Sequence, residues 1–196
     1  MTSWFRFAGP AALAFSMLPL QAMTLRTEGP AVTALGAIFD VAVVADGLGP
    51  PPDGLALGAF DFDLVFDPAL VSFVSLSFGS GLDFGSGSFT SFTPSGGRIS
   101  ISGISFESAA ALVAAQPATF GLVTVSFTGN AEGSWTPSFE FVTVTDQDGN
   151  SLVPGLPVAP ISIVAVPEPA AGWLFAAGLA GLLAYIGTAR RGPSAA

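Results

Sequence analysis

The sequence contains no cysteine, no histidine and, since all five of its basic residues are arginines, no lysine. The lack of cysteine excludes disulfides, thiol catalysis and cysteine-ligated metal sites. The lack of histidine excludes a histidine base and a histidine metal ligand. We therefore expect no cofactor, and a fold that its hydrophobic core can stabilise without cross-links.

Basic charge is scarce, and its distribution is more informative than the net charge of −9. Residues 23–166 contain 13 acidic residues and two arginines, so this part of the chain has a net charge near −11. Such a surface repels phosphate backbones, and we expect no nucleic-acid partner. The five basic residues of the chain are Arg6, Arg26, Arg98, Arg190 and Arg191.

The N-terminal segment has the layout of an export signal. A short start with one positive charge precedes an almost wholly apolar stretch at 7–20, and the small residue Ala22 follows at a plausible cleavage position. This layout predicts a secretory signal peptide over residues 1–22. The alternative, a buried N-terminal helix, is disfavoured because Pro10 and Pro19 would both disturb its packing.

The C-terminal segment contains a second apolar run. Residues 170–188 include no charged side chain, and as a helix these 19 residues would extend about 28 Å, close to the hydrocarbon thickness of a bilayer. A buried soluble helix is the less favoured interpretation, because the run has no polar face. Arg190 and Arg191 follow directly, so the positive-inside rule predicts a cytoplasmic tail at 192–196 and a large domain outside.

A proline-flanked glutamate stands just before this predicted transmembrane helix. Pro167, Glu168 and Pro169 favour an extended backbone, since proline restricts both itself and the residue before it. An extended peptide at the membrane surface is accessible to a processing enzyme. The tripeptide alone is a weak signal, but its position directly before a short apolar run strengthens it.

Together, the tripeptide, the apolar run and the basic pair resemble the PEP-CTERM sorting domain over residues 166–191. The resemblance implies recognition by an exosortase, an integral-membrane processing enzyme of Gram-negative bacteria that make exopolysaccharide. It also implies that the tripeptide is the sorting motif and that Arg190 and Arg191 are the basic stop. Members of this family share a sorting signal rather than one biochemical activity.

The segment between the two signals has the period-two pattern of β-strands. In residues 59–67, Phe60 and Phe62 share one face with other apolar residues, whereas Asp61 and Asp63 lie on the other. This alternation predicts a strand with one buried and one solvated face. Similar runs occur at 37–45, 70–78, 98–106, 120–128, 137–144 and 159–165.

Turn-forming residues separate these runs and complete the fold prediction. The alanine-rich residues 107–115 are the exception, and they favour about two turns of helix. Regularly spaced short strands indicate an all-β, antiparallel sandwich, which we assign to a domain spanning residues 23–165. The predicted turns are Gly47–Gly54, Gly79–Gly87, Pro94–Gly97 and Asp146–Asn150.

This middle region resembles the cohesin-like domain over most of residues 30–165. The alternating strand followed by Asp67, Pro68, a small residue and Leu70 carries most of the resemblance. The resemblance implies a nine-stranded jelly-roll sandwich related in fold to carbohydrate-binding modules, and the best-known members of the family bind dockerin modules. Further segments that fit are Val43–Leu48, Phe120–Phe127 and Val142–Asn150.

Two acidic features were weighed as sites. Asp61 and Asp63 would lie roughly 6.6–7 Å apart on one strand face, a separation that carboxylate-based glycosidases use, but a solvated outer face explains them better. The segment 146–150 resembles the start of a calcium loop. Because its glycine stands in the wrong place for an EF-hand, a hairpin turn on Asp148 and Gly149 is the favoured interpretation, with weak surface calcium as the alternative.

A sugar-binding platform at Trp135 is a less favoured interpretation. Trp135 is the only tryptophan between the two predicted signals, and exposed planar rings suit sugar stacking. The alternating phenylalanines are interpreted as core residues.

The sequence therefore predicts an exported, C-terminally sorted protein of the cell envelope or exopolysaccharide, with a non-catalytic binding or structural sandwich. A carbohydrate-binding module proper is the alternative, and a glycoside hydrolase is the least favoured one. The expected partners are the exosortase and either an extracellular polysaccharide or another envelope protein. The expected location is the inner membrane, with the domain outside the cytoplasm and either retained there or released to the cell surface or matrix.

Overall fold

The computed structural model describes residues 23–49, 54–165, 175 and 177–180. The predicted signal peptide, the sorting tripeptide, the basic pair and the cytoplasmic tail lie outside these ranges. Most of the predicted transmembrane helix also lies outside them, and its described positions, 175 and 177–180, are helical. Among the described residues, none of the helices is both long and apolar enough to span a bilayer.

The described domain consists of strands and one short helix. Each of the seven predicted strands and the predicted helix is present, with shifts of one to two residues at most ends. The elements are β1 (Thr24–Glu28), β2 (Val32–Ala34), β3 (Ile38–Asp46), β4 (Leu57–Val65), β5 (Val71–Phe78), β6 (Ser88–Ser95), β7 (Arg98–Ser105), α1 (Ala109–Ala115), β8 (Thr119–Gly129), β9 (Gly133–Trp135), β10 (Ser138–Asp146), β11 (Ser151–Leu152) and β12 (Ile161–Val164).

The strands form two facing sheets and a smaller third one. The four-stranded sheet has the order β1-β3-β8-β5, and the five-stranded sheet has the order β11-β10-β4-β7-β6. The third sheet, β2-β12-β9, contains a parallel pair, in which Thr33 lies opposite Ile163. The all-β sandwich is thus confirmed, and the expectation of purely antiparallel pairing is wrong for β2 and β12.

The core lies between the inner faces of the two large sheets. Phe62 of β4 and Phe127 of β8 are fully buried there, and Phe66 packs edge-on against Phe127 with ring centroids 5.4 Å apart. The third sheet closes one side of the core through Ile161 and Ile163, both buried. Because inner positions alternate with outer ones, the core dictates which side chains of β4 face solvent.

Strand β6 shows where the sequence prediction was incomplete. Ser88–Ser95 is mostly polar, so it lacks the alternation by which the other strands were found. Its Pro94 was assigned to a turn, whereas it belongs to the strand. The strand tolerates this proline because β6 lies at an edge of its sheet and pairs with β7 alone.

Candidate functional site

The outer face of the five-stranded sheet carries an ordered array of hydroxyl and carboxylate groups. We call it the β10-β4-β7-β6 face. The register aligns its outward residues into rows that cross all four strands, and two central rows are almost wholly polar. These rows are Thr143, Asp61, Ser102 and Ser91, followed by Glu140, Asp63, Ser100 and Thr93. Such a face offers many hydrogen-bond donors and acceptors to a polar partner.

One arginine organises the acidic part of this face. Arg98 of β7 donates from Nη1 to Asp63 Oδ2 at 2.8 Å and from Nη2 to Glu140 Oε2 at 2.6 Å. Its guanidinium carbon also lies 5.3 Å from the ring centroid of Phe141, a cation–π contact. The arginine therefore joins three strands, because its partners lie on β4 and β10.

The aromatic partner of Arg98 sits on a β-bulge. The pairing of β10 with β4 shifts between Glu140 and Thr143, which leaves two residues of β10 opposite one of β4. Phe141 adopts a φ of +50°, a left-handed conformation that an aromatic residue rarely takes, and its side chain is exposed. Strained, exposed residues of this kind concentrate at functional surfaces, so the strain at Phe141 marks this face as a candidate functional surface.

Asp61 and Asp63 lie on one face of β4, as the alternation predicts, but they differ in environment. Asp61 is exposed, whereas Asp63 is only 7% exposed because Arg98 covers it. The expectation of a solvated carboxylate pair is right for Asp61 and wrong for Asp63. Because Arg98 covers Asp63 and occupies its Oδ2, this carboxylate is not free to contact a substrate, and the pair does not resemble a glycosidase site.

An apolar depression lies at the end of the same face. Its volume is about 210 Å³, and the row of residues that crosses it is Thr145, Ala59, Ile104 and Phe89. Ile104 and Phe89 are both strongly exposed, and the exposed Phe106 follows Ile104 by two residues. The depression is large enough for one or two apolar side chains of a partner, and the hydroxyl rows border it on one side.

One carboxylate near this depression orders the loop beside it. Glu107 accepts the backbone N–H groups of Phe84 and Ser86 at 2.9 and 2.7 Å. The hydrogen bonds from Ser86, first from its backbone and then from its hydroxyl, lower the pKa of Glu107, with a further contribution from the Phe84 N–H. Glu107 thereby closes the 79–87 loop against the residues that precede α1.

The segment 146–150 is the hairpin turn between β10 and β11, as predicted. Gly149 has a φ of +83°, and the Asp146 N–H donates to the carbonyl of Asn150 at 2.9 Å. Burial raises the pKa of Asp146, but hydrogen bonds from Asn150, Asp148 and Gly149 outweigh it and lower the pKa. Within the described ranges, no group of three or more Asp or Glu residues is placed to hold a metal ion.

The proposed sugar platform at Trp135 is wrong. This side chain is 4% exposed and packs against Phe127 and Phe39, with ring centroids 5.0 and 6.4 Å away. It belongs to the core because β9 is a strand of the third sheet, and its pairing with β12 places Trp135 opposite Ile161 on the side that faces the core. Single-sequence reasoning could not detect this, since β9 is only three residues long and lacks a periodic pattern.

A buried glutamine that the sequence did not single out supports the same end of the face. Gln116 is 6% exposed and follows α1 directly. Its Oε1 accepts the Leu57 N–H at 2.5 Å, and its Nε2 donates to the carbonyls of Leu57 and Gly81 at 3.1 and 2.9 Å. The amide thus ties the helix to the start of β4 and to the 79–87 loop.

Comparison with protein families confirms the predicted PEP-CTERM sorting motif. Residues 165–191 match the model of the PEP-CTERM protein-sorting motif, a range that contains the predicted motif and basic stop. Proteins with this motif are exported and sorted through their C-terminus, and this chain carries that signal. No curated protein matches the chain.

Comparison with solved structures confirms the cohesin-like fold. A cohesin module from a Clostridium perfringens family 33 glycoside hydrolase matches at 13% identity, with a TM-score of 0.59 over 74% of this chain and 99% of the module. A non-cellulosomal cohesin from Archaeoglobus fulgidus matches at 17% identity, with a TM-score of 0.56 over 74% and 92%. The seventh ScaB type I cohesin from Pseudobacteroides cellulosolvens matches at 16% identity, with a TM-score of 0.60 over 76% and 96%.

Proposed function

We infer that the protein is an exported, C-terminally sorted module of the cell envelope or exopolysaccharide that binds a partner without catalysis. The match of residues 165–191 to the sorting motif carries the first part of this proposal. In it, residues 1–22 are the signal peptide, 23–165 the exported sandwich and 170–188 the membrane helix, with a cytoplasmic tail at 192–196. An exosortase-type enzyme recognises the motif at the outer surface of the inner membrane.

The assignment of the motif residues follows from this proposal. Pro167, Glu168 and Pro169 are the recognition tripeptide, and Arg190 and Arg191 stop translocation of the chain. The domain boundary at the N-terminal end is supported by the start of the fold, since Met23 is already buried and β1 begins at the next residue. A signal peptide that ends at Ala22 would leave β1 intact.

The binding surface in this proposal is the β10-β4-β7-β6 face. It combines an apolar depression at Ile104 and Phe89 with two polar rows, so a partner can bury one or two apolar groups and hydrogen-bond beside them. A cohesin from Clostridium thermocellum was solved as a cohesin–dockerin complex, which shows that a module of this fold can serve as a protein-binding unit. A non-catalytic role is further supported by the arginine-held Asp63.

The chain provides a matched pair of positions for testing this face. Ile104 lies on it, and Val74 lies on β5 in the opposite sheet, and the two are 46% and 45% exposed. Binding of the organism's own polysaccharide and of its purified envelope proteins to the immobilised protein should be lost in Ile104→Asp and kept in Val74→Asp. If both variants bind equally, the partner uses another surface.

A carbohydrate-binding module proper is the second candidate, and the hydroxyl rows favour it. A panel of oligosaccharides separates a carbohydrate-binding module from a protein-binding one, because a protein-binding module captures no sugar from the panel. Sugar binding that Ile104→Asp leaves intact but Asp61→Asn abolishes would place a carbohydrate site on the polar rows instead of the depression.

A further inference from the structure

The folded domain ends very close to the predicted membrane helix. The last strand, β12, ends at Val164, and the uncharged run begins at Ala170, six residues later. Six fully extended residues reach at most about 22 Å, and part of that length must cross the lipid headgroup layer. The end of the sandwich that carries Val164 therefore faces the membrane at a distance of roughly 15 Å or less.

That end of the sandwich carries several exposed apolar side chains. Strand β12 pairs with β2, so Val164 lies opposite Ala34, and the turn after β2 begins with Leu35, whose N–H donates to the Val164 carbonyl at 2.8 Å. Ile161 and Ile163 of β12 face the core, but four other large apolar residues at this end are exposed, and Ile38 is 66% exposed. We call this set the β2-β12 patch, and its members are Val32, Leu35, Ile38 and Val164.

The patch has an occupant suggested by the chain itself. Scattered exposed apolar residues need no explanation, but these four are confined to the segments next to the point where the chain leaves for the bilayer. In the described part of the apolar run, which follows the patch in sequence, Phe175 and Leu179 are exposed as well. A tethered patch also meets the bilayer at high effective concentration.

We propose that the β2-β12 patch rests on the lipid surface for as long as the C-terminal helix anchors the protein, before processing at the sorting motif. This inference rests on the proposed anchoring by residues 170–188. The patch should contact a zwitterionic lipid surface more closely than an anionic one, because a domain with a net charge near −11 is repelled by an anionic surface. Its carboxylates near the patch, Asp40 on β3 and Glu132 before β9, add to that repulsion.

Seating the patch on the bilayer orients the candidate binding face. Val65, at the end of β4, is joined to the start of β5 by a short turn, and Val71 there pairs with Gly129. The carbonyl of Gly129 in turn accepts the N–H of Gly36, which lies in the turn after β2, at 2.9 Å. Ala59, in the apolar depression, lies six residues away along β4, about 20 Å from that end. The depression would thus point away from the membrane, where a partner can reach it.

The lack of cysteine makes a site-specific probe straightforward. The full chain with Leu35→Cys is labelled with a fluorophore and reconstituted into phosphatidylcholine vesicles that contain spin-labelled lipid as a quencher. The matched control is Asp148→Cys, in the exposed β10-β11 turn at the other end of β4. We expect loss of fluorescence at position 35 and none at position 148. Adding Ile38→Asn to the Leu35→Cys chain should weaken the quenching.

The outcomes separate this inference from the proposed anchoring. If the full chain fails to float with the vesicles, the membrane helix itself is refuted. If it floats but the two positions are quenched equally, or not at all, the anchoring stands and the seated orientation is wrong. Quenching at position 35 that requires an added processing enzyme would assign the patch to that enzyme and overturn the lipid assignment.

Discussion

Arg98 covers Asp63 on the outer face of the five-stranded sheet, with its Nη1 2.8 Å from the Asp63 Oδ2. The two residues are 35 positions apart in the sequence, and β4–β7 pairing brings them together. This contact turns one of two predicted solvated carboxylates into a largely buried, charge-paired group. Arg98 also lies over the ring of the strained Phe141, so that one arginine links β7 to both β4 and β10 on this face.

Removing this arginine should destabilise the domain. Arg98→Met keeps the aliphatic stem but leaves the largely buried Asp63 without its partner, at a cost of about 1–3 kcal/mol in the free energy of unfolding. Arg26 is the matched control, because it pairs with Glu28 and Asp46, both of which are exposed to solvent. Arg26→Met should cost less than about 1 kcal/mol. Urea unfolding at neutral pH measures both, and equal losses would contradict the role of Arg98.

Removing the buried amide of Gln116 should lower the stability of the domain more than removing an amide nearer the surface. Gln116→Leu removes three hydrogen bonds and leaves the Leu57 N–H and the Leu57 and Gly81 carbonyls without partners, so we expect a loss of about 2–4 kcal/mol. Gln147 accepts one hydrogen bond, from the Ala56 N–H at 2.9 Å. Gln147→Leu should cost about 1 kcal/mol. Thermal unfolding of the two variants compares them, and the reverse order would show that Gln116 is not a structural anchor.

The stability of the domain should fall at acid pH through its hydrogen-bonded carboxylates. Hydrogen bonds lower the pKa of Glu107 below its ordinary value of 4.5 in the folded state, so the contribution of Glu107 is complete above that value. This contribution is lost as pH falls through the lower, folded-state pKa. The same sign holds for Asp46, whose pKa is lowered by hydrogen bonds from the Thr119 hydroxyl and then from the Gly47 N–H.

Glu107→Gln isolates one of these carboxylates. The free energy of unfolding of this variant should decline less steeply than that of the wild type between about pH 5 and pH 2. Denaturant titrations at a series of pH values supply the data. Parallel curves for the wild type and Glu107→Gln would refute the assignment.

The exported protein should begin at or near Met23. Strand β1 occupies Thr24–Glu28 and pairs with β3 along its whole length, while Met23 is buried and accepts the Gly155 N–H through its carbonyl at 3.0 Å. A cut that removed β1 would expose the edge of β3 and part of the core. N-terminal sequencing of the exported protein locates the cut, and a start beyond Glu28 would contradict the predicted signal boundary.

Whether a strand could be predicted from the sequence depends on how clearly its residues alternate between apolar and polar. Strand β4 alternates strictly, because one face packs in the core and the other meets solvent, so its register and its outward carboxylates were readable. Strand β6 has no such contrast, since its Ser and Thr residues occur on both faces. The sequence pattern alone therefore identifies a strand only where burial differs sharply between the two faces of that strand.

The functional surface was harder to predict, because it depends on pairing between distant segments. The depression needs Phe89 from β6 beside Ile104 from β7, and β6 was not found. The buried state of Asp63 depends on Arg98, and that of Trp135 depends on β12, far along the chain. The C-terminal sorting motif could be predicted from the sequence, because its tripeptide, apolar run and basic pair are contiguous.

The mature C-terminus tests the sorting proposal most directly. Mass spectrometry of the protein from its native cells should show a chain that ends near Pro167 and lacks residues 170–196. Glu168→Ala, which removes the charged centre of the motif, should instead leave the protein intact through Ala196 and in the membrane fraction. A wild-type protein that keeps residues 170–196 would contradict processing at this motif.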